Sequence, residues 1–168
     1  VWVFFLKRDG TVARAVEIGS SQSMKLAGFA YGGGIGRSLA NLGDLDGDGS
    51  IELAIGQEPK SEIDFRDGRA VFIASVASNG EVRRAQRIQD RAQGLGQGWF
   101  GDALARIGDV YSDGVADLAI ADTYDDDGGS VRGALWITFL ARDGSLRRAQ
   151  KVSDWNGGFT GAMSDGET

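Results

Sequence analysis

Short apolar runs alternate along this chain with runs in which polar and apolar residues take turns. Val1 to Leu6 (VWVFFL), Ala70 to Val76 (AVFIASV) and Ala134 to Leu140 (ALWITFL) are rich in branched and aromatic residues, which favour extended backbone. Each is followed by an Xaa-Gly pair, Asp9-Gly10, Asn79-Gly80 and Asp143-Gly144, where glycine tolerates the positive φ of a hairpin turn. The runs that come next, Val82 to Ile88 and Leu146 to Val152, alternate, as a strand wetted on one face does. Ile51 to Ile55 and Val115 to Ile120 are nearly continuous apolar runs, the pattern of a strand covered on both faces. Leu39 to Leu42 and Leu104 to Ile107 predict a short strand before each. Pro59 falls in a loop, and no helix is required anywhere.

These elements repeat. GRSLANLGDLDGDGSIELAIG from Gly36 matches GDALARIGDVYSDGVADLAIA from Gly101 at an offset of 65 residues. The glycines at 36, 43 and 49 pair with those at 101, 108 and 114, and Leu53 pairs with Leu118. The turn glycines at 10, 80 and 144 mark a second recurring block. Each unit therefore reads strand, acidic loop, strand, Gly/Asp loop, strand, tight turn, strand. Four antiparallel strands per repeat is the blade of a β-propeller. The expected fold is all-β, about two and a half blades of an incomplete propeller. Residues 1–35 supply a half blade (its last two strands) and a linker. Residues 36–99 and 100–153 supply one blade each, and 154–168 a linker toward a further repeat. Propellers have roughly four to eight blades, so the remaining blades of a parent chain, or copies of this one, are the expected partners. The opening at Val1, inside an apolar run and without Met, reads as a piece of something longer.

Composition narrows the chemistry. Glycine supplies 27 of 168 residues and proline one, which suits many tight turns and excludes collagen. The chain has no Cys and no His, so disulfides, thiolate zinc sites, imidazole ligands and Ser-His-Asp triads are excluded. Eighteen basic against 24 acidic residues argue against a nucleic-acid surface. No apolar run reaches the ~18 residues of a membrane span.

The acids are concentrated. Asp44-Leu-Asp46-Gly-Asp48-Gly49-Ser50-Ile-Glu52 places oxygen donors at positions 1, 3, 5 and 9 of a nine-residue loop. Gly49 permits a sharp turn at position 6, and the Ser50 carbonyl at position 7 completes the set. This is the D-x-D-x-D-G opening of an EF-hand loop without its helices or late Glu, and Ca²⁺ takes six to eight such oxygens. Carboxylates ~5 Å apart repel by about 3 kcal/mol per pair at an effective dielectric near 20, a sign that a dication reverses. The bland alternative is a solvated Asp-Gly turn. The second loop keeps Asp109, Asp113 and Asp117, with Val115 at position 7, but has Tyr111 at position 3. A weak Ca²⁺ site and an empty structural turn both stand for it. Asp125-Asp126-Asp127 is a third acidic run, read as a surface loop. Its first-unit counterpart at 63–68 is spaced differently.

These residues resemble the FG-GAP repeat of integrin-α-like propellers. Phe100-Gly101 matches the FG, with Ile35-Gly36 in the first unit. Leu39 to Asp44 and Leu104 to Asp109 match the lead into the family's calcium loop, and Asp44 to Glu52 matches the loop itself. Glu52 to Gly56 and Asp117 to Ala121 match the strand that ends in GAP, although neither unit keeps the full tripeptide. Arg132 to Ile137 matches the next strand, and Gly157 to Gly161 resembles a linker of bacterial-type members. The resemblance implies a structural Ca²⁺ in the hairpin between a blade's first two strands. It also implies an extracellular, secreted or cell-surface role in adhesion or ligand binding, with a protein or glycan as ligand and no catalysis by this chain. The alternative it leaves is an accessory propeller of an extracellular hydrolase.

Other patterns carry less. Gly96 to Gly101 satisfies G-x-G-x-x-G but lacks the βαβ context that a dinucleotide site needs. Gly33 to Ser38 lacks the lysine and spacing of a phosphate loop. Trp99, Phe100, Trp136 and Trp155 are candidate sugar platforms. Blade packing is the better reading for Phe100 and Trp136, and exposure for Trp155. Arg83-Arg84 and Arg147-Arg148 recur at one strand position and read as a solvated edge that discourages strand addition.

Overall fold

A computed structural model of the chain describes residues 1–19, 21, 24–25, 27–28, 34–58, 69–88, 95, 99–161, 163 and 165. Pro59, the 63–68 segment and Gly96 to Gly98 lie outside these. Ten strands occur among the described residues: β1 (Trp2–Leu6), β2 (Val12–Glu17), β3 (Ile35–Gly43), β4 (Ile51–Gln57), β5 (Ala70–Val76), β6 (Val82–Ile88), β7 (Phe100–Gly108), β8 (Asp117–Asp122), β9 (Ala134–Leu140) and β10 (Leu146–Val152). Beyond them, residues 24–25 have helical backbone. The strands make three antiparallel sheets in chain order: β1-β2, β3-β4-β5-β6 and β7-β8-β9-β10. The all-β reading and the strand order of the repeat are borne out, and the sheets are partial propeller blades.

The sheets stack face to face, and the stacking follows from the period of two along each strand. In β5, Phe72, Ala74 and Val76 pack with Ile18, Val1 and Val3 on the β1-β2 side. The intervening Val71 and Ile73 pack with Leu118, Ile120, Trp136 and Leu140 on the β7–β10 side. Every residue of β5 is buried, as a strand inside a three-layer stack requires. Phe100 and Trp136 are buried in the second core, which bears out the packing role read for them.

The three Xaa-Gly hairpins share one geometry. Gly10, Gly80 and Gly144 have φ of 82°, 81° and 78°. The preceding Asp or Asn accepts, through Oδ1, the N–H of Thr11, Glu81 or Ser145 at 2.9 Å. The glycine N–H bonds back to the carbonyl of Lys7, Ala77 or Ala141. This is a three-residue hairpin loop closed by a left-handed residue.

Several strand boundaries differ from expectation. β3 begins at Ile35 and β7 at Phe100 rather than at Leu39 and Leu104. Between Ile35 and Leu39 the register slips against β4, and between Phe100 and Leu104 it slips against β8. The bulge centres on Gly36 and Gly101, with φ of 92° and 93°. It breaks the apolar alternation and so hides the first part of the strand. Similarly, β8 starts at Asp117 rather than Val115, and β4 continues to Gln57. The Gly101 bulge has a packing role as well. Its carbonyl accepts the Ser38 hydroxyl and would lie 2.6 Å from a Cβ at Gly56. Successive sheets approach closely there because neither partner carries a side chain.

The candidate metal loop and its degenerate copy

The first acidic loop joins β3 to β4. Asp44 organises it. Its Oδ1 accepts the N–H groups of Gly47 (2.7 Å) and Asp48 (3.2 Å), and its Oδ2 that of Gly49 (2.9 Å). Asp46 Oδ1 accepts the Asp48 N–H at 3.2 Å, and Asp48 Oδ1 the Ser50 N–H at 2.7 Å. Gly47 and Gly49 supply the left-handed turns, with φ of 81° and 82°. The chain is thereby wound so that one carboxylate oxygen from each of Asp44, Asp46 and Asp48 lies within 4.8 Å of the others. No other such acidic group occurs among the described residues. Hydrogen bonds from Ser50, backbone first, hold the Asp48 carboxyl below its usual range.

Glu52 lies beneath the loop and is buried. Its Oε2 accepts the Leu45 N–H at 2.8 Å. Its Oε1 makes no hydrogen bond of normal geometry. The Arg84 guanidinium lies 3.9 Å from that oxygen, and the Ser75 side chain also contacts the carboxyl. Burial pushes the Glu52 carboxyl above the ordinary carboxylate range, against the pull of the Leu45 N–H. Ser50 is buried too, and its hydroxyl accepts Arg83 Nη1 at 3.1 Å.

The arginine pairs lie on the edge strands β6 and β10, as expected, and they also make ion pairs. Arg84 Nη2 lies 3.0 Å from Asp46 Oδ2, and Arg83 Nη1 lies 3.5 Å from Asp48 Oδ2. Both reach from β6 across the sheet to the acidic loop of their own repeat. Their partners are more than thirty residues away, so local patterning could not pair them. The recurrence of Arg147-Arg148 at the same place was the available signal.

The second loop, between β7 and β8, has the same backbone. Asp109 accepts the N–H groups of Asp113 (2.9 Å) and Gly114 (2.8 Å). Asp113 accepts that of Val115 at 3.0 Å, and buried Asp117 accepts those of Val110 and Tyr111. Val115 is buried. The difference lies at position 3. Tyr111 packs edge-on against Phe139, with ring centroids 5.6 Å apart, and Arg148 lies over Phe139 at 4.8 Å and Tyr111 at 5.8 Å. Arg147 pairs with Asp113. A guanidinium–aromatic contact thus stands where the first repeat has Arg84 on Asp46. Ser112 takes the place of Gly47 and keeps its left-handed backbone, with φ of 58°.

The third acidic run is not a free surface loop. Asp125 is buried, and Lys151 Nζ lies 2.6 Å from its Oδ2 and 2.8 Å from Asp127 Oδ2. Ser153 and Asn156 also donate to Asp127, whose carboxyl is held below its usual range, chiefly by Lys151. The lysine and the two side-chain amide and hydroxyl donors bind this run to β10 and its exit. Asp126 Oδ1 accepts the Val131 N–H.

Of the aromatic candidates, Trp155 is 76% exposed. Trp99 is covered on both faces, by the Arg69 guanidinium at 3.8 Å and by Tyr124 at 4.4 Å. Asp102 ties that stack together by accepting Arg37 Nε at 2.8 Å and Arg69 Nη1 at 3.2 Å. Arg37, Arg69 and Trp99 come from the 36–99 repeat and Asp102 from β7 of the next, so the cluster bridges two sheets.

No family model matches the chain. It is similar to integrin alpha-4 of Xenopus laevis, 32% identical over 91 residues that make up 54% of this chain and 8% of that protein. It is also similar to integrin alpha-PS2 of Drosophila melanogaster, 32% identical over 133 residues, 76% of this chain and 9% of that protein. The chain carries FG-GAP repeats of the integrin-alpha type. The matched stretch spans under a tenth of either relative. Among the described residues, no helix of these FG-GAP repeats is long and apolar enough to cross a membrane.

Proposed function

We propose that this FG-GAP segment binds Ca²⁺ at its first acidic loop, and that the ion fixes the β3–β4 hairpin in a non-enzymatic, adhesion-type propeller outside the cell. The units would be 36–99 and 100–153, flanked by the half blade 1–35 and the linker 154–168. Asp44, Asp46, Asp48 and Glu52 would hold the ion by side chain and Ser50 by its carbonyl. The observation that carries this reading is the convergence of three aspartate oxygens above a buried glutamate whose Oε1 lacks a hydrogen bond. A buried carboxylate oxygen whose closest charge partner is a guanidinium 3.9 Å away is poorly compensated, and a hard dication that prefers oxygen would relieve it. Bound there, Ca²⁺ supplies charge neutralisation and rigidity, not chemistry.

The second loop fits Ca²⁺ less well. Asp109, Asp113, the Val115 carbonyl and Asp117 remain, but Tyr111 offers no hard-oxygen carboxylate at position 3. The loops of the assembled propeller would present a surface to a protein or a glycan. The relatives' name carries the adhesion part of this reading.

Affinity in the range of extracellular modules, about 10⁻⁴–10⁻³ M, is expected. The test is thermal unfolding in chelator and in 10 mM Ca²⁺. A melting temperature several degrees higher with Ca²⁺ is expected. An identical transition in both buffers would remove the proposal.

A further inference from the structure

Three residues stand in one row across the β3–β6 sheet. Glu52 of β4 is opposite Ser75 of β5, and Ser75 is opposite Arg84 of β6. Residues opposite one another on neighbouring strands share a face. Here it is the face toward the β7–β10 sheet, because Ile73, on the same side of β5 as Ser75, packs there. The small side chain at the centre of the row lets the guanidinium reach over it. Arg84 Nη2 comes within 3.0 Å of Asp46 Oδ2 and 3.9 Å of Glu52 Oε1. Arg83, beside it on β6, brings Nη1 within 3.5 Å of Asp48 Oδ2.

The matching row of the last sheet is filled differently. Asp117, Phe139 and Arg148 hold the corresponding places in the sequence. A ring stands where the first repeat has Ser75, and Arg148 lies over it at 4.8 Å. The guanidinium's reach to the acidic loop therefore depends on the small residue at the centre.

Arg84 has one more acidic neighbour, in the next repeat. The β9–β10 turn sits on β5, and a Cβ at its Gly144 would lie 2.8 Å from Ile73 Cγ2. Asp143 of that turn is close enough for the Arg84 charge to help hold its carboxyl below the usual range, after the Ser145 hydrogen bonds. The guanidinium thus stands between the acidic loop of its own repeat and a carboxylate of the following one.

We propose that Arg84 is the built-in counter-ion of the first acidic loop, competing with a dication for Asp46 and yielding toward Asp143 when one binds. This rests on the calcium reading of the loop. A guanidinium beside Asp46 already offsets part of the carboxylate repulsion that a dication would relieve, and its own charge repels the ion. Arg84 therefore lowers the loop's affinity. Asp143 works the other way, by offering the guanidinium a second partner. Occupancy of the loop and the contact with the following turn are then linked, and such linkage is reciprocal.

Calorimetric titration of Ca²⁺ into variants of the whole chain tests it. Arg84→Gln should tighten binding about tenfold, and Arg84→Lys, which keeps the charge, should stay close to the parent. Asp143→Asn should weaken binding about threefold. The amide keeps the turn intact, since Asn79 in the equivalent turn accepts its N–H at the same 2.9 Å. Added to Arg84→Gln, Asp143→Asn should change nothing. Equal weakening in both backgrounds would mean that Asp143 acts on the ion directly, and would overturn the relay. A second readout needs no metal. In chelator, a double-mutant cycle of Arg84→Gln with Asp46→Asn, read by urea unfolding, should show a coupling of about threefold in the unfolding constant. An additive cycle would overturn the proposal. Parent binding with an unchanged affinity in Arg84→Gln would overturn it and leave the calcium reading standing. No binding by either protein would overturn both.

Discussion

The two acidic loops have nearly the same backbone and different occupants at one position. Both are wound by a first aspartate that accepts N–H groups of its own loop. Both bury the acid at position 9, and both draw an arginine pair from the fourth strand of their sheet. At position 3 the first has Asp46 and the second Tyr111. That difference decides whether oxygens converge. Three do so in the first loop, and the second has an Arg148–Tyr111–Phe139 stack instead. The loop's shape is therefore a property of the Asp/Gly scaffold, and cation binding a separate property of the side chains added to it.

The largest expected effect separates these properties. With Ca²⁺ at about a hundred times its dissociation constant, the chain should gain about 2.7 kcal/mol of stability. Asp46→Asn should abolish the gain, and Asp113→Asn should leave it unchanged, as read from unfolding with and without chelator. Equal losses from both variants would erase the distinction between the loops.

The scaffold is tested next, in chelator. Asp44→Ala and Asp109→Ala each remove the acceptor for several loop N–H groups and should each cost about 1–2 kcal/mol, measured by urea unfolding. Similar costs would show a shared metal-free scaffold. A much larger cost at Asp44 would mean that the first loop relies on that residue in a way the second does not.

Ser112 gives a smaller effect of opposite sign. A serine held at φ 58° is strained by roughly 1 kcal/mol relative to glycine. Ser112→Gly should therefore stabilise the chain, and Gly47→Ser should destabilise it by a similar amount.

The smallest expected effect concerns pH. Burial raises the Glu52 carboxyl, so the folded state binds that proton more tightly than the unfolded chain. The stability it contributes is fully present below the unfolded value near 4.5 and is lost as pH rises through the folded value. Glu52→Gln should remove that loss at neutral pH in chelator while weakening the response to Ca²⁺. A stability curve in which the variant shows the same pH dependence as the parent across this window would show that Glu52 ionises freely.

Much of the fold was legible because local chemistry enforces it. The Xaa-Gly pairs dictated three hairpins of one geometry; the run at 51–55, read as covered on both faces, is exposed at Ile51 and half-buried at Leu53, whereas the strand at 70–76 is the wholly buried one. The starts of β3 and β7 were not legible, because a glycine-centred bulge breaks the alternation that strand reading depends on. The acids of the first loop could be found from spacing, since their ligand geometry is local. The guanidinium partners could not, because Arg84 meets Asp46 across 38 residues. Asp125 was hidden for the same reason: its burial depends on Lys151, which arrives from another strand.

The most direct measurement is a calorimetric titration of Ca²⁺ into chelator-treated protein. One ion per chain is predicted, lost in Asp46→Asn and retained in Asp109→Asn. No binding heat, or two equivalent ions per chain, would contradict the assignment of a single cation to the first loop.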